Sequence, residues 1–227
     1  QCFFLLTFIS NLMTMVRNLS EQASILGQYM AEIRDVNIQN DPIRFRTNLE
    51  RIAEIMGYEI SKSMSYHEIE VESPLGVSRE FKLTDEPVLI TILRAGLAMH
   101  NGLLRTFDRC DSAFVSAYRD HTTPEEFEIH VEYLAAPNLD GRVWVISDPM
   151  LATGRSMVNV YNALLKFGKP KKVYVVVSIA TPQAIELVQK TLPSDAEIWA
   201  GAIDSELTAK SCFVPGLGDA GDLAYGV

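Results

Sequence analysis

Residues 143–168, VWVISDPMLATGRSMVNVYNALLKFG, constrain the fold of this chain more than any other stretch. Val143, Trp144, Val145 and Ile146 form a continuous apolar run, the pattern of a strand buried on both faces. An acid, Asp148, follows the run, and then a loop with Thr153, Gly154 and Ser156. Apolar side chains next recur at helical spacing, at Met157, Val160, Tyr161, Leu164 and Leu165, until Gly168 and Pro170 stop the helix. The order is therefore strand, carboxylate, small-residue loop, helix N-terminus. Unpaired backbone N–H groups, two hydroxyls and the positive end of a helix dipole all suit a phosphate. The carboxylate suits sugar hydroxyls or a metal beside that phosphate. An ordinary capped strand–helix connection has the same outline, and the GxxxxGK(S/T) spacing of a Walker A loop is absent.

The same alternation recurs along the chain. Residues 88–93 read as a second buried strand, followed by Arg94-Ala95-Gly96 and a helix through Met99, Leu103 and Leu104. Residues 114–118, 173–179 and 197–203 read as further strands, and Thr181-Pro182 caps and starts a helix to about Lys190. Asp41-Pro42 is another such start, with an apolar stripe at Phe45, Leu49, Ile52, Ile55 and Met56. Residues 68–72 alternate with period two, a half-exposed strand with its acids toward water, and Ser73-Pro74-Leu75-Gly76 is a turn. Residues 119–141 read as irregular, except that Phe127, Ile129, Val131 and Tyr133 mark one limb of a β-hairpin around His121-Thr122-Thr123-Pro124.

Apolar strands alternating with helices predict an α/β fold with a mainly parallel sheet flanked by helices. Ligands of such sheets sit beyond the carboxyl ends of the strands. Arg94-Ala95-Gly96, Arg119-Asp120 and residues 148–156 all fall there. Two arginines and a phosphate-type loop on one rim point to a polyanionic ligand. The tail, VPGLGDAGD at 214–222, has three glycines and two acids in nine residues. Glycines let backbone approach a ligand closely, and backbone groups suit the edge of a flat heterocycle.

Composition narrows the class. With 227 residues, 48% hydrophobic and 22% charged, the chain is an ordinary globular protein with a sizeable core. A net charge of −9 and a pI near 5.0 argue against a general nucleic-acid binder while leaving room for a local basic pocket. Cys2, Cys110 and Cys212 lie far apart, which disfavours a disulfide framework or zinc site and fits a reducing compartment. The four histidines include no HExxH pair. The first sixteen residues are apolar and uncharged, but short of the roughly 20 needed for a membrane span. No basic residue precedes them and no small-residue cleavage site follows. Residues 1–14 therefore read as a non-native or mis-assigned extension, dispensable for folding, before a single domain over 15–227.

Laid in order, IRDVN, RTNLERIAEI, TILRAGLAMHNGLL, the YRD at Tyr118, SDPMLATGRS and VPGLGDAGD resemble the motifs of uracil phosphoribosyltransferases, from about Arg34 to Gly226. SDPMLATGRS and VPGLGDAGD together are specific to that family. The resemblance implies a type I-like phosphoribosyltransferase fold with a β-hairpin arm. It implies transfer of phosphoribosyl from phosphoribosyl pyrophosphate to N1 of uracil, giving UMP and pyrophosphate. By the same resemblance Ala152, Thr153, Gly154, Arg155 and Ser156 cradle the 5′-phosphate, Asp148 lies near the ribose hydroxyls, and Arg94 and Arg119 hold pyrophosphate. Phe213, Gly218, Asp219 and Ala220 receive uracil, chiefly through backbone groups, with Asp219 close to uracil and ribose. Asp148, Arg94, Arg119 and Asp219 are the expected catalytic set. Mg²⁺ is expected through the substrate, not through protein ligands. The family further implies small-molecule partners, no nucleic acid or membrane, a homo-oligomer and a cytoplasmic location.

The chain departs from the family pattern at several points. Thr153-Gly154-Arg155-Ser156 replaces TGGS, Cys212 and Phe213 replace an aromatic and Ile, Leu223 replaces Arg, and the hairpin over 120–137 differs in length and residues. These changes bear on rate and base specificity. Two alternatives stay open at this stage: a phosphoribosyltransferase for another nucleobase, and a non-catalytic pyrimidine-sensing regulator, of which the TGR loop is reminiscent.

Overall fold

The apolar runs of the sequence become the middle of one sheet. A computed structural model describes residues 15–121, 127–208 and 212–226, with the side chains of 117–132 outside that description. The described elements are β1 (Met15–Asn18), α1 (Ile25–Arg34), α2 (Pro42–Ser61), β2 (Tyr66–Ser73), β3 (Gly76–Leu83), β4 (Val88–Leu93), α3 (Gly96–Thr106), β5 (Asp111–His121) and β6 (Phe127–Ala135). They continue with β7 (Val143–Ser147), β8 (Met150–Leu151), α4 (Arg155–Leu164), β9 (Lys172–Ala180), α5 (Pro182–Thr191), β10 (Glu197–Ile203), β11 (Glu206–Leu207), β12 (Phe213–Val214) and α6 (Ala220–Tyr225).

The main sheet runs β1-β10-β9-β7-β4-β5-β6, with β8 also paired to β9. Its pairings are parallel except for the antiparallel β5–β6 edge. Because strand side chains alternate, the two faces collect different sets. Val145, Tyr174 and Val176 join α1, α2 and α3 in one core, while Trp144, Ile146, Val173 and Val175 join α4 and α5 in the other. Burial on both faces explains the unbroken apolar runs. From β4 the chain goes through α3 to β5 on one side; from β7 it goes through α4 to β9 on the other. β4 and β7 are hydrogen-bonded neighbours, so a topological switch point lies between their carboxyl ends, where open α/β sheets bind ligands.

Several elements differ from the sequence reading. Residues 119–141 are not mainly irregular: β5 continues to His121, and Arg119 pairs with Ile129 of β6. A bulge at Ser116/Ala117 shifts the register there, and Arg119, Asp120 and His121 end the apolar run of β5 while its pairing continues. The hairpin turn expected at 122–124 lies outside the described residues, as do residues 1–14. Met15 and Val16, within the apolar N-terminal run, form part of β1 and pair with Glu197 and Ile198. α1 was not read from the sequence, although its three buried side chains, Leu26, Met30 and Ile33, stand at helical spacing. β3 completes a separate hairpin with β2. Regular structure also extends past residue 203, through β11, β12 and the short helix α6.

Candidate active site

A cleft of about 530 Å³ opens at the switch point. Leu93, Arg94 and Ala95 come to it from the end of β4, Ser116 from β5, Asp148 from β7, Ser156 from α4, and Asp219, Ala220 and Gly221 from the tail. Three segments distant in sequence thus converge with the C-terminal tail, as the rim rule predicts. Of the residues singled out in the sequence, Arg94, Asp148, Ser156, Asp219 and Ala220 line this cleft.

The phosphate-type loop is built locally. β8 pairs with β9, and the backbone N–H of Thr181 donates to Leu151 O (3.2 Å), so the loop's start is anchored to its neighbour strand. The buried Thr181 hydroxyl donates to Ala152 O at 2.7 Å and accepts from the N–H of Ala184 at 3.1 Å, capping α5 while holding the loop. Gly154 has φ +77°, and a Cβ there would lie 3.0 Å from Ala184 O. Both its conformation and its space call for glycine. Arg155 is the first residue of α4 and is exposed, so the residue that replaces the family's second glycine sits in helical backbone open to any side chain. Thr153 and Ser156 are half-buried at the mouth of the same helix, whose first N–H groups lack helical carbonyl partners.

Asp148 follows β7, with its N–H donating to Val176 O at 3.1 Å and its Oδ1 accepting from the N–H of Met150 at 3.4 Å. Arg94 reaches toward the tail. Its guanidinium donates to Asp222 Oδ1 at 3.2 Å and to Gly226 O at 3.1 Å. Arg119 belongs to β5 by its backbone, but its side chain lies outside the described residues.

The tail is held by a local cap and by contacts far away in sequence. Asp219 caps α6, its Oδ1 accepting from the N–H groups of Gly221 (2.8 Å) and Asp222 (3.0 Å). Arg46 on α2 donates to Ala224 O and lies over the Tyr225 ring at 5.7 Å. Arg34, at the end of α1, forms a two-armed ion pair with the buried Asp204 (2.7 and 2.9 Å) and donates to Gly216 O at 2.9 Å. Asp204 in turn accepts from the N–H of Gly216 at 2.9 Å. The Phe213 side chain is buried in the core and does not line the cleft. Gly218 does not line the cleft, and a Cβ there would lie 3.5 Å from Leu223 and 3.6 Å from Gln39 Oε1. Leu223, in place of the family's usual arginine, packs against the core.

Sequence reading missed Thr181 as a loop support, although it identified the residue as a helix cap. It missed Asp204, which stands just past β10 as Asp148 stands just past β7; the same rim rule applied to that strand would have found it. Arg34 entered only through the IRDVN motif.

His100 is buried behind this rim, within 2.8 Å of Thr91 Oγ1 and against the Phe114 ring, tilted at 58° with centroids 5.0 Å apart. Burial lowers its pKa and favours the neutral ring. Burial likewise pushes the Cys110 thiol up to about 11, which favours the protonated thiol at neutral pH. Among the described residues no three His, Cys, Asp or Glu side chains gather to hold a metal, and no described helix is long and apolar enough to cross a membrane.

Comparison with known proteins places this geometry. The family model of uracil phosphoribosyltransferase matches residues 20–227. A curated uracil phosphoribosyltransferase of Porphyromonas gingivalis is 49% identical over 211 residues, covering 93% of this chain and 98% of the relative. One from Thermococcus gammatolerans is 37% identical over 210 residues, covering 91% of each. Among solved structures, the AQ2163 protein from Aquifex aeolicus superimposes with a TM-score of 0.83 at 31% identity, covering 94% of this chain and 99% of that one. With a phosphate-type loop, an arginine and a glycine-rich tail meeting at the switch point, and with relatives matching nearly end to end, the chain belongs to the uracil phosphoribosyltransferase family.

Proposed function

We propose that this chain transfers the phosphoribosyl group of phosphoribosyl pyrophosphate to N1 of uracil, releasing pyrophosphate and forming UMP. The observation that carries the reading is the single cleft shared by Arg94, Asp148, Ser156 and Asp219.

The division of labour follows from charge. The backbone N–H groups of 152–156 and the Ser156 hydroxyl receive the 5′-phosphate at the positive end of α4. Asp148 takes the ribose hydroxyls. Arg94 and Arg119 bind pyrophosphate, whose negative charge grows as the C1′–O bond breaks; a guanidinium placed there lowers the barrier. Ribose C1′ becomes cation-like as the N1–C1′ bond forms, and N1 gives up its proton to Asp219, directly or through water. Tail backbone from 216 to 222 polarises the uracil carbonyls and eases that proton loss. Two carboxylates in the cleft, Asp148 and Asp219, suit a hydrated Mg²⁺ carried in with the pyrophosphate donor, which would supply extra charge neutralisation of the leaving group. The family resemblance also favours a homo-oligomer working in the cytoplasm.

The test is an assay with radiolabelled uracil, phosphoribosyl pyrophosphate and Mg²⁺, with cytosine, orotate, hypoxanthine and xanthine as competitors and a parallel reaction in chelator. Labelled UMP that depends on the metal and resists the competitors is expected. Product from another base only, or none at saturating substrates, overturns the reading.

A further inference from the structure

We infer that Arg34 and Asp204 are positioning residues for base recognition. They act through Gly216, and the inference rests on the reading that the tail receives uracil. Gly216 contributes to two consecutive peptide planes. Its N–H belongs to the plane shared with Pro215 and donates to Asp204 Oδ2 at 2.9 Å. Its carbonyl belongs to the plane shared with Leu217 and accepts from Arg34 Nη1 at 2.9 Å. Arg34 and Asp204 are bound to each other by two hydrogen bonds, so both planes are fixed to one rigid unit. Between them the Gly216 backbone is held at φ +68°, with a Cβ position only 2.5 Å from Phe213 O. With rotation on both sides of Gly216 fixed, the direction of the next peptides toward Asp219 and the cleft is set.

The energetics favour this role over general stabilisation. Asp204 is 5% exposed and Arg34 22%. Removing two charges from water cancels much of their attraction, so a buried ion pair adds little stability over a well-packed apolar pair. What it adds here is direction, because the remaining donor and acceptor capacity reaches both sides of one residue. The two partners stand on different elements, the end of α1 and the rim of β10. The tail is therefore referred to the scaffold and not to its own short helix.

Steady-state kinetics of Arg34→Lys and Asp204→Asn test the role, since both substitutions keep a polar group at the site. The uracil KM should rise at least tenfold while the phosphoribosyl pyrophosphate KM stays within twofold. Arg34→Met should be worse than Arg34→Lys. Hydrogen exchange of the wild type with UMP against ribose 5-phosphate separates this inference from the one beneath it. UMP should give extra protection to amides 216–222. If the base gives none, the tail reading falls and the inference with it. If the base protects the tail but the variants keep a wild-type uracil KM, or raise both KM values in step with a fall in Tm, the tail reading stands and the positioning role is overturned.

Discussion

The two ends of the cleft are built on opposite plans. The loop over 152–156 is held by its own neighbourhood: β8 on β9, the Thr181 hydroxyl, and the turn into α4. The tail over 213–226 is held by Arg34, Arg46, Arg94 and Asp204, residues mostly from the other end of the chain. A local device works once its strand–turn–helix unit is packed. A device braced from a distance works only when the scaffold is complete. Damage to the loop should therefore appear in handling of the phosphorylated substrate alone, whereas damage to the braces should appear in uracil handling.

The largest effect should come from breaking the loop. Gly154→Val places a β-branched residue at φ +77° with its Cβ against Ala184 O. The conformation alone costs about 1–3 kcal/mol, and a displacement near 1 Å in a substrate-positioning group costs about a hundredfold in rate. Turnover should fall by about that factor. Base-dependent protection of the tail by UMP, read by hydrogen exchange, should persist wherever ligand still saturates. A variant with normal turnover would show that the loop does not bind phosphate.

Arg94→Ala addresses the residue between the two plans. Losing a charge-assisted contact costs roughly 1.5–3 kcal/mol, or about tenfold to more than a hundredfold in turnover if the contact acts mainly in the transition state. Sequence alone suggests damage to catalysis with uracil binding spared. The guanidinium also holds Asp222 and Gly226 O, so some rise in the uracil KM is now expected. Asp222→Asn separates the two contributions. Its ion pair is 58% and 43% exposed, and such pairs contribute only about 0–1 kcal/mol after solvent screening. It should therefore raise the uracil KM by no more than about fivefold and leave turnover nearly intact. A loss in Asp222→Asn equal to that in Arg94→Ala would make Arg94 a structural partner of the tail.

The same contrast explains what could be read in the sequence. Residues 143–168 carry strand period, acid, loop and helix period within one window, and the structure has β7 and α4 where those signals stand. β4 was legible to the residue because burial on both faces leaves an uninterrupted apolar run. The placement of Arg94 and Asp148 on a shared rim followed from the parallel sheet. The braces were not legible. Arg34 and Asp204 are 170 residues apart, and neither periodicity nor turn chemistry relates positions at that distance. β5 was cut short because Arg119, Asp120 and His121 end its apolar run while its backbone pairing with β6 continues past a bulge at Ser116/Ala117.

Thr181→Val sharpens the local side of the comparison. It removes a helix cap, worth about 0.5–2 kcal/mol, and the donor that holds Ala152 O. Tm should fall by roughly 2–4 °C for each kcal/mol lost in a chain of this size. The phosphoribosyl pyrophosphate KM should rise severalfold and the uracil KM should not move. Equal changes in both KM values would deny the loop its independence.

The smallest effect lies in the scaffold beneath the distant braces. Glu32 stands on α1 two residues before Arg34. Its carboxylate accepts from Arg44 at 2.6 and 2.7 Å and from Asn48 at 2.6 Å, both on α2. The hydrogen bonds from Arg44, and then Asn48, hold its pKa down at about 2, and the Arg44 pKa is raised in step. A carboxyl whose folded pKa lies below its unfolded one stabilises the fold above the ordinary carboxylate range. That contribution fades as pH falls from the unfolded value through the folded one, because the unfolded chain takes up the proton first. Melting curves of the wild type and Glu32→Gln should therefore differ most near about pH 6 and approach one another toward about pH 2. His100, with its lowered pKa, destabilises both proteins alike as pH drops below the usual imidazole range, so it cancels in the comparison. At neutral pH the variant should also show faster hydrogen exchange in the tail than in the loop, because α1 carries Arg34. Two parallel melting curves would remove Glu32 from the brace, and equal exchange in tail and loop would show that the two ends of the cleft share one footing.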